Sequence, residues 1–479
     1  MECAIISDTC RQSKRRKLMK QWLLGLLLIL CLSGCKTISP LRENMEEIST
    51  SYEETTTSLE MEEGDRSSDP KENVRERVKV KVKGIYLTAG VAGSEERMDE
   101  ILKNIQETEV NAVVIDVKDD NGRVTFAMDT PLVQEIEACQ IYIEDIDTLM
   151  TRLKEMGIYT IARVVAFRDP YLAEKKTEWS LHDANGTVHR DESGLAWVNP
   201  YKREVWDYLV EIGKEAGRVG FDEIQFDYIR FAIDRTMQNV VFDESDTMGR
   251  SKTDIITEFI EYAYTELSQT GVFVSADVFG TIIGSAIDAK AVGQVYEDMA
   301  EHLDYICPMI YPSHYGDGNF GLDHPDLYPY ETVLGALKVS DRVLSAAARG
   351  EKTIFREEEQ EISENSENHG IFMDEVLEAC LDGKRPHVLL EELEKEQELK
   401  AQKRQKKLEE SGNIQYTQAK VRPWLQDFTA SYLRHFKKYG PEEIRAQIQA
   451  VYDAGYEEWI LWNAANNYTW DGLERVSNE

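Results

Sequence analysis

Three aspartates lie at the ends of short apolar segments: Asp227 in FDEIQFDYIRF, Asp277 in VFVSADVFG and Asp427 in VRPWLQDF. Because an ionised carboxylate is costly in an apolar interior, each one needs a cation, hydrogen-bond donors or a polar cleft. Glycosidic bond hydrolysis uses such a set, with one carboxylate as nucleophile or base and one protonated carboxyl as general acid. Crowding of like charges raises the pKa of one member and so provides the acid. These aspartates are therefore the predicted catalytic residues.

Residues suited to binding a sugar accompany the three aspartates. Arginine and amide side chains hydrogen-bond hydroxyl groups, and aromatic rings offer apolar faces for sugar rings. The predicted substrate-binding residues are Arg163, Trp197, Gln225, Tyr228, Arg230, Tyr311, His314, Trp424, Gln426, Trp462 and Asn463. A structural alternative is open for Asp227, because Arg163 on the preceding strand could pair with it as part of the scaffold.

Composition and motifs argue against several other functions. The formal net charge of -34 opposes binding to nucleic acid, which is itself a polyanion. The sequence has no GxSxG, HExxH or P-loop pattern, and no GxGxxG follows the first strand. Its 8 His show no ligand spacing, and its cysteines show no CxxC spacing. We therefore predict neither a metal nor a cofactor.

Eight strand-like segments alternate with helical patterns, and this alternation must position the candidate residues. A helical pattern follows each of the first seven, which predicts a parallel sheet. Eight such units fit a (β/α)8 TIM barrel, whose functional residues lie at the C-terminal ends of the strands. A doubly wound open sheet is the competing fold. The segments are Lys83–Thr88, Asn111–Asp120, Tyr159–Phe167, Phe221–Phe231, Val272–Gly280, Leu303–Pro312, Val421–Phe428 and Glu457–Ala464.

The fourth segment indicates how a buried strand can hold a carboxylate. Side chains alternate along a strand, so Gln225 and Asp227 share one face while Ile224, Phe226 and Tyr228 share the other. The apolar face can pack on helices, and the polar face then points into the open end of the barrel.

Composition also divides the chain into segments. Residues 36–80 are rich in Glu, Ser and Thr, which predicts a disordered stalk. Residues 350–412 are highly charged and predict a helical insertion before the seventh strand. The predicted barrel domain is therefore made of residues 81–349 and 413–479. Partner docking by the insertion is a further hypothesis.

The first 35 residues have the pattern of an export signal. SKRRKLMK precedes the apolar run WLLGLLLILCL, which is too short to span a bilayer comfortably. LSGC, at residues 32–35, resembles the bacterial lipobox, and this implies cleavage before Cys35 and a diacylglycerol on its sulfur. We therefore expect an exported protein, anchored by lipid to the extracytoplasmic face of the cell membrane. A signal-anchor helix is the alternative.

Four ordered segments resemble a known family. FDEIQFDYIRF, CPMIYPSHY, VRPWLQDF and WILWNAANNYTW are similar to those of a bacterial glycoside hydrolase-like domain, formerly a domain of unknown function and grouped with the TIM-barrel glycosidases. The resemblance covers about residues 83–470 apart from the insertion. By similarity to the α-amylase-like clan, it implies Asp227 as nucleophile and Asp427 as transition-state stabiliser. Asp277 takes the fifth-strand acid/base position, where the clan usually has Glu.

These expectations describe a membrane-anchored glycoside hydrolase that cleaves a cell-surface or environmental polysaccharide. Asp427 and Arg163 would orient the substrate or stabilise positive charge at the anomeric carbon. The alternative is a non-catalytic carbohydrate-binding lipoprotein on the same barrel scaffold.

Overall fold

Parallel strands close into a ring in the computed structural model, which describes residues 77–349 and 419–476. The strands are β1 (Lys83–Leu87), β2 (Ala112–Lys118), β3 (Tyr159–Val165), β4 (Glu223–Asp227), β5 (Phe273–Phe279), β6 (Tyr305–Ile310), β7 (Lys420–Val421), β8 (Trp424–Gln426) and β9 (Trp459–Trp462). β1 to β6 pair in chain order, β6 pairs with β7 and β8, β8 pairs with β9, and β9 returns to β1. The predicted (β/α)8 barrel is confirmed.

The seventh position in the ring is filled by two short segments. β7 pairs with β6, and β8 pairs with both β6 and β9. Pro423 lies between the segments and has no N–H to donate to a neighbouring strand. Its carbonyl still accepts the N–H of Ile460 at 3.0 Å, so the chain keeps its place in the ring.

Helices cover the outside of the ring. Their bounds are α1 (Ala89–Ala92), α2 (Glu95–Glu107), α3 (Pro131–Glu135), α4 (Ile146–Glu155), α5 (Pro170–Lys175), α6 (Arg203–Val219), α7 (Glu244–Thr247), α8 (Lys252–Ser268), α9 (Ala286–Val292), α10 (Tyr296–Ala300), α11 (Pro329–Ala348) and α12 (Pro441–Asp453). The longer helices are amphipathic, and α6 buries Val205, Leu209 and Ile212 against the barrel core. Ser251 and Asp254 form a capping box at the start of α8.

Two apolar layers follow from the alternation of side chains along the strands. Phe226 of β4 faces outward, and its ring lies 5.4 Å from that of Phe259 on α8. Val114, Ile161 and Phe273 instead belong to a separate cluster that fills the barrel. Both faces of each strand are therefore covered, as in other parallel barrels.

A long excursion between β3 and α6 lies at the C-terminal end of the barrel. Isolated bridges within it join His182 to Val188 and Arg190 to Ala196. His189 is buried, and its ring nitrogens lie 2.7 Å from Asp183 Oδ1 and 3.1 Å from Thr236 Oγ1. This network ties the excursion to the loop after β4.

Several sequence predictions concern residues outside the described ranges. These are the signal and lipobox with Cys35, residues 36–76 of the stalk, and the charged insertion at 350–412. Within the described ranges, no helix is both long enough and apolar enough to cross a membrane.

Candidate active site

The candidate site is built around Arg163, which is 1% exposed at the end of the barrel where the strands terminate. We call this end the mouth. Nη1 of Arg163 donates to Asp116 Oδ1 at 2.7 Å, and Nε and Nη2 donate to Asp227 Oδ2 at 3.0 and 2.7 Å. Asp120, on the loop after β2, is more distant, at 3.4 and 3.5 Å. One cation therefore holds carboxylates from three places in the chain, and the Arg163–Asp227 pair considered from the sequence is present.

Asp227 is the last residue of β4 and is 7% exposed. Its Oδ1 accepts the N–H of Tyr228 at 2.6 Å, so three N–H donors face this carboxylate. These donors hold both oxygens of the carboxylate in a fixed orientation. Tyr228 has a φ of +52°, a left-handed backbone conformation that is costly for a residue other than glycine. The backbone strain thus lies directly beside the predicted nucleophile.

Asp277 lies beside Asp227 on the neighbouring strand. Phe226 pairs with Ala276, so the two aspartates are the next residues along β4 and β5. Nε1 of Trp424 donates to Asp277 Oδ1 at 2.6 Å, and no cation of the described chain pairs with this carboxyl. Burial raises the pKa of Asp277 well above its usual range, and the charge of Asp227 raises it further. The two aspartates therefore have opposite electrostatic environments.

Asp116 belongs to the mouth although it was not a predicted site residue. It is 4% exposed on β2, and the hydroxyl of Tyr86 donates to its Oδ2 at 2.5 Å. Burial raises the pKa of Asp116 to about 6, against the opposing effect of the Arg163 charge. The signal was available in AVVIDVK, where a carboxylate interrupts an apolar strand just as Asp227 does.

Aromatic side chains surround these carboxylates. Trp462 stacks on Tyr86 with ring centroids 4.2 Å apart, and Trp424 meets Trp462 edge-on at 5.6 Å. The guanidinium of Arg163 lies 5.7 Å from both the Tyr86 and the Trp462 ring. Tyr311 is buried nearby, and its pKa is raised by burial and then by the charges of two mouth aspartates. The structure thus brings three of the predicted aromatic residues together.

Asp427 makes its contacts with the loop that follows β9. Thr469 donates its N–H to Asp427 Oδ2 at 2.8 Å and its hydroxyl to Oδ1 at 2.7 Å. Burial raises the pKa of Asp427, and these two hydrogen bonds oppose the rise. Within the described residues, Asp427 has no hydrogen bond to Asp227, Asp277 or Arg163. Its catalytic role stays a prediction.

Three other predicted sugar-binding residues hold loops at the mouth. The side-chain oxygen of Gln426 accepts the N–H and hydroxyl of Ser313 at 3.1 and 2.8 Å. The same hydroxyl lies 3.0 Å from Nδ1 of His314, whose ring meets those of Tyr311 and Phe428 edge-on. Nδ2 of Asn463 donates to the carbonyl of Asp427 at 2.5 Å. All three connect the ends of β6, β8 and β9.

Gln225 lies on the same face of β4 as Asp227, two residues deeper in the barrel. It is fully buried, and neither of its amide atoms has a hydrogen-bond partner among the described residues. At the rim, Nε1 of Trp197 donates to Asp191 Oδ2 at 2.9 Å, and its ring lies 6.1 Å from that of Tyr228. Arg230 packs against both rings.

A second buried charge cluster occupies the opposite end of the barrel, which we call the floor. Nη1 of Arg422 donates to both oxygens of Glu223, at 2.8 and 3.0 Å, and its Nε donates to Glu458 at 2.9 Å. Glu223 also accepts from Ser275 at 2.5 Å and from Tyr159 at 3.0 Å. Glu223 and Arg422 are fully buried, and sequence analysis identified neither.

The described part of the chain contains no group of three or more His, Cys, Asp or Glu side chains arranged to hold a metal ion. At the mouth, the positive charge beside Asp116 and Asp227 comes from Arg163.

A family model described as a "putative glycosyl hydrolase domain" matches residues 84–369 and 392–468. The match covers more than half of the chain and includes every predicted catalytic residue. The chain belongs to this family. The family resemblance predicted from the four sequence segments is therefore confirmed. The prediction that the protein is an enzyme of the glycoside hydrolase type is confirmed as well.

Solved structures similar to the chain include a hypothetical protein from Ruminiclostridium thermocellum, with 41% identity over 40% of this chain and 97% of that chain and a TM-score of 0.38. The glycoside hydrolase domain of PgaB (BpsB) from Bordetella bronchiseptica has 11% identity, covering 84% and 99%, with a TM-score of 0.47. The spore cortex-lytic enzyme SleL from Bacillus megaterium has 10% identity, covering 83% and 74%, with a TM-score of 0.40. No curated protein sequence matches the chain.

Proposed function

We propose that this protein is a membrane-tethered glycoside hydrolase that cleaves a polysaccharide with Asp227 as nucleophile and Asp277 as general acid and base. The proposal rests on two neighbouring aspartates that lie in opposite electrostatic environments. Asp227 is bound by a guanidinium and a backbone N–H. Its neighbour Asp277 lacks a cation, and burial raises its pKa. A retaining glycosidase needs this combination of one ionised and one protonated carboxyl group.

Oxygen Oδ1 of Asp227 is the atom placed to attack. Oδ2 accepts two hydrogen bonds from Arg163, whereas Oδ1 accepts only that of Tyr228, which leaves a lone pair for the anomeric carbon. Arg163 also fixes the orientation of the carboxylate. In the first step Oδ1 forms a bond to the anomeric carbon while the bond to the leaving oxygen breaks.

Asp277 supplies the proton for that leaving oxygen. Its Oδ1 accepts from Trp424, so Oδ2 is the oxygen available to carry the proton. In the second step the ionised Asp277 removes a proton from water, and the resulting hydroxide releases the sugar from Asp227. Neighbouring strands are about 4.8 Å apart. A carboxyl separation of roughly 5 Å, as in retaining enzymes, is therefore part of the proposal.

Asp427 acts in this proposal by positioning other groups. Its carboxylate is occupied by Thr469, and its carbonyl accepts from Asn463 beside Trp462. The contacts therefore favour a role in holding the loop that carries Trp462 and Asn463 over a direct contact with the anomeric carbon.

Membrane tethering rests on the sequence pattern at residues 1–35. Lipid on Cys35 would hold the barrel at the extracytoplasmic face of the cell membrane, where a cell-surface or environmental polysaccharide is within reach. Mass spectrometry of the N-terminal peptide tests this, since a diacylglyceryl cysteine at residue 35 is expected. An unmodified residue 35 would contradict it.

The activity is tested with the full-length protein in detergent, incubated with purified bacterial wall and exopolysaccharides. New reducing ends are expected for at least one polymer, and Asp227→Asn should abolish them while leaving binding intact. Binding without turnover, unchanged in Asp227→Asn, would identify a carbohydrate-binding lipoprotein instead.

A further inference from the structure

Arg230 is a half-buried cation at the rim of the mouth that three aromatic rings enclose. Its guanidinium lies 5.1 Å from the ring centroid of Trp197, 5.0 Å from that of Tyr228 and 4.6 Å from that of Phe279. These rings come from the β3–α6 excursion, the end of β4 and the end of β5. Its only hydrogen bond within the described ranges goes from Nη1 to the carbonyl of Phe231, at 2.9 Å.

The other arginines of the barrel interior and mouth differ from Arg230. Arg163 and Arg422 each form ion pairs with two buried carboxylates, and Arg168 lies 3.4 Å from Asp120. In the part of the chain that the structure describes, Arg230 has no Asp or Glu within ion-pair distance. Burial lowers the pKa of its guanidinium, because removal of water disfavours the charged form. Aromatic faces compensate only part of such a desolvation cost.

We propose that Arg230 binds an anionic group, a carboxylate or a phosphate, on the sugar chain that enters the mouth, so that the substrate class is an acidic glycan. The inference rests on the proposed glycoside hydrolase function and adds the chemistry of the substrate. A guanidinium presents a planar fork of N–H donors that matches the oxygens of both anions. The rings of Trp197 and Tyr228 supply apolar faces for the sugar that carries the anion.

The charge of the whole protein works against binding of an acidic glycan. A formal net charge of -34 repels polyanions in general, so an acidic glycan gains no binding from the surface as a whole. Attraction must come from local cations. Arg168 supports Arg230 here, because its guanidinium lies 4.9 Å from the same Tyr228 ring and donates to the Tyr228 hydroxyl at 2.9 Å.

The test uses full-length protein carrying Asp227→Asn, which prevents cleavage, on an array of bacterial wall and exopolysaccharide glycans. Each uronate-bearing glycan is printed beside its carboxyl-reduced form, and each phosphate-bearing glycan beside its dephosphorylated form. Arg230→Gln removes the cation. Arg230→Lys keeps a positive charge but lacks the planar fork of N–H donors. Arg203→Gln is the matched control, because Arg203 also lies over two rings, those of Trp206 and Tyr262, but on α6.

At least tenfold stronger binding to an acidic glycan than to its neutralised form is expected. Arg230→Gln should remove that difference, Arg230→Lys should restore part of it, and Arg203→Gln should leave it unchanged. Whether carboxyl reduction or dephosphorylation abolishes binding identifies the anion.

Equal binding of both forms, or an undiminished preference in Arg230→Gln, overturns the inference. If wild-type protein then hydrolyses the neutral glycan, the proposed function is supported and only the specificity for acidic glycans is contradicted. Binding of no glycan overturns both.

Discussion

The mouth and the floor of the barrel each contain a buried arginine that binds carboxylates, yet the two ends differ in how completely their carboxylates are paired. At the floor, Glu223 accepts hydrogen bonds from Arg422, Ser275 and Tyr159, and all of these groups are buried. At the mouth, Asp277 has no cation of its own and Arg230 has no carboxylate within the described ranges. The floor resembles a closed structural network, in which every carboxylate has its partners.

The difference shows how one fold keeps buried charges for two purposes. An ion cluster whose members all have partners fixes the geometry of the strands. Charged groups without a partner raise the free energy of the site until a ligand pairs with them. The mouth also contains the strained backbone of Tyr228. This strained residue follows the predicted nucleophile directly, as expected of a functional site.

The largest expected effect comes from Asp227→Asn. Loss of the nucleophile should lower kcat by a factor on the order of 10³ or more, because an amide cannot form the glycosyl intermediate. The measurement is steady-state hydrolysis of the polysaccharide identified in the activity screen. Glu223→Gln is the matched control on the same face of β4. A folded Glu223→Gln protein that also loses kcat would break the contrast between mouth and floor.

Asp277→Asn should lower kcat by about 10²–10⁴-fold on a natural glycosidic bond, because the general acid is lost. An activated aryl glycoside of the same sugar needs little protonation of its leaving group, so the first step should be largely preserved with it. Wild-type activity should fall as the pH rises through the raised pKa of Asp277, since the acid must be protonated. Equal losses on both substrates would remove Asp277 from this role.

Glu223→Gln should act on stability. Removing one partner from a buried ion pair costs about 3–5 kcal/mol of unfolding free energy, and Arg422 would keep only Glu458 as a counter-charge. Urea denaturation of wild-type and variant protein measures this difference. Asp227→Asn should cost less, because Asp227 is 7% exposed whereas Glu223 is fully buried, so water screens the charge of Arg163 better. A reversed order of the two costs would contradict the assignment of the floor as scaffold.

The smallest effect concerns the pH dependence of stability at the mouth. The pKa of Asp116 is raised to about 6 from an ordinary 3.8, so the folded protein binds this proton more tightly than the unfolded chain. Its contribution is therefore complete below the ordinary value and is lost as the pH rises towards 6, by up to about 3 kcal/mol. Asp116→Asn should flatten the decline of unfolding free energy between pH 4 and 7. An unchanged slope would show that Asp116 is ionised throughout.

Much of the fold was predictable because local patterns agree with the tertiary structure. The eight strand-like segments each contain an observed strand. The interruption of the seventh strand was missed, although Pro423 marks it. The buried charges were predicted less completely, because Asp116 at the mouth and Arg422 at the floor become interior groups only when distant strands close the ring.

The sequence by itself determined the alternation of strands and helices, the inward face of β4 and the acids at the strand ends. Each of these depends on residue type and on spacing within a single segment. Only the tertiary structure decided the partners of those acids. Asp227 lies with Arg163, Asp277 with Trp424 and Asp427 with Thr469. The partners come from strands and loops that are distant in sequence, and ring closure sets both the distances between charges and their exposure to water. Those two quantities fix which carboxyl keeps its proton.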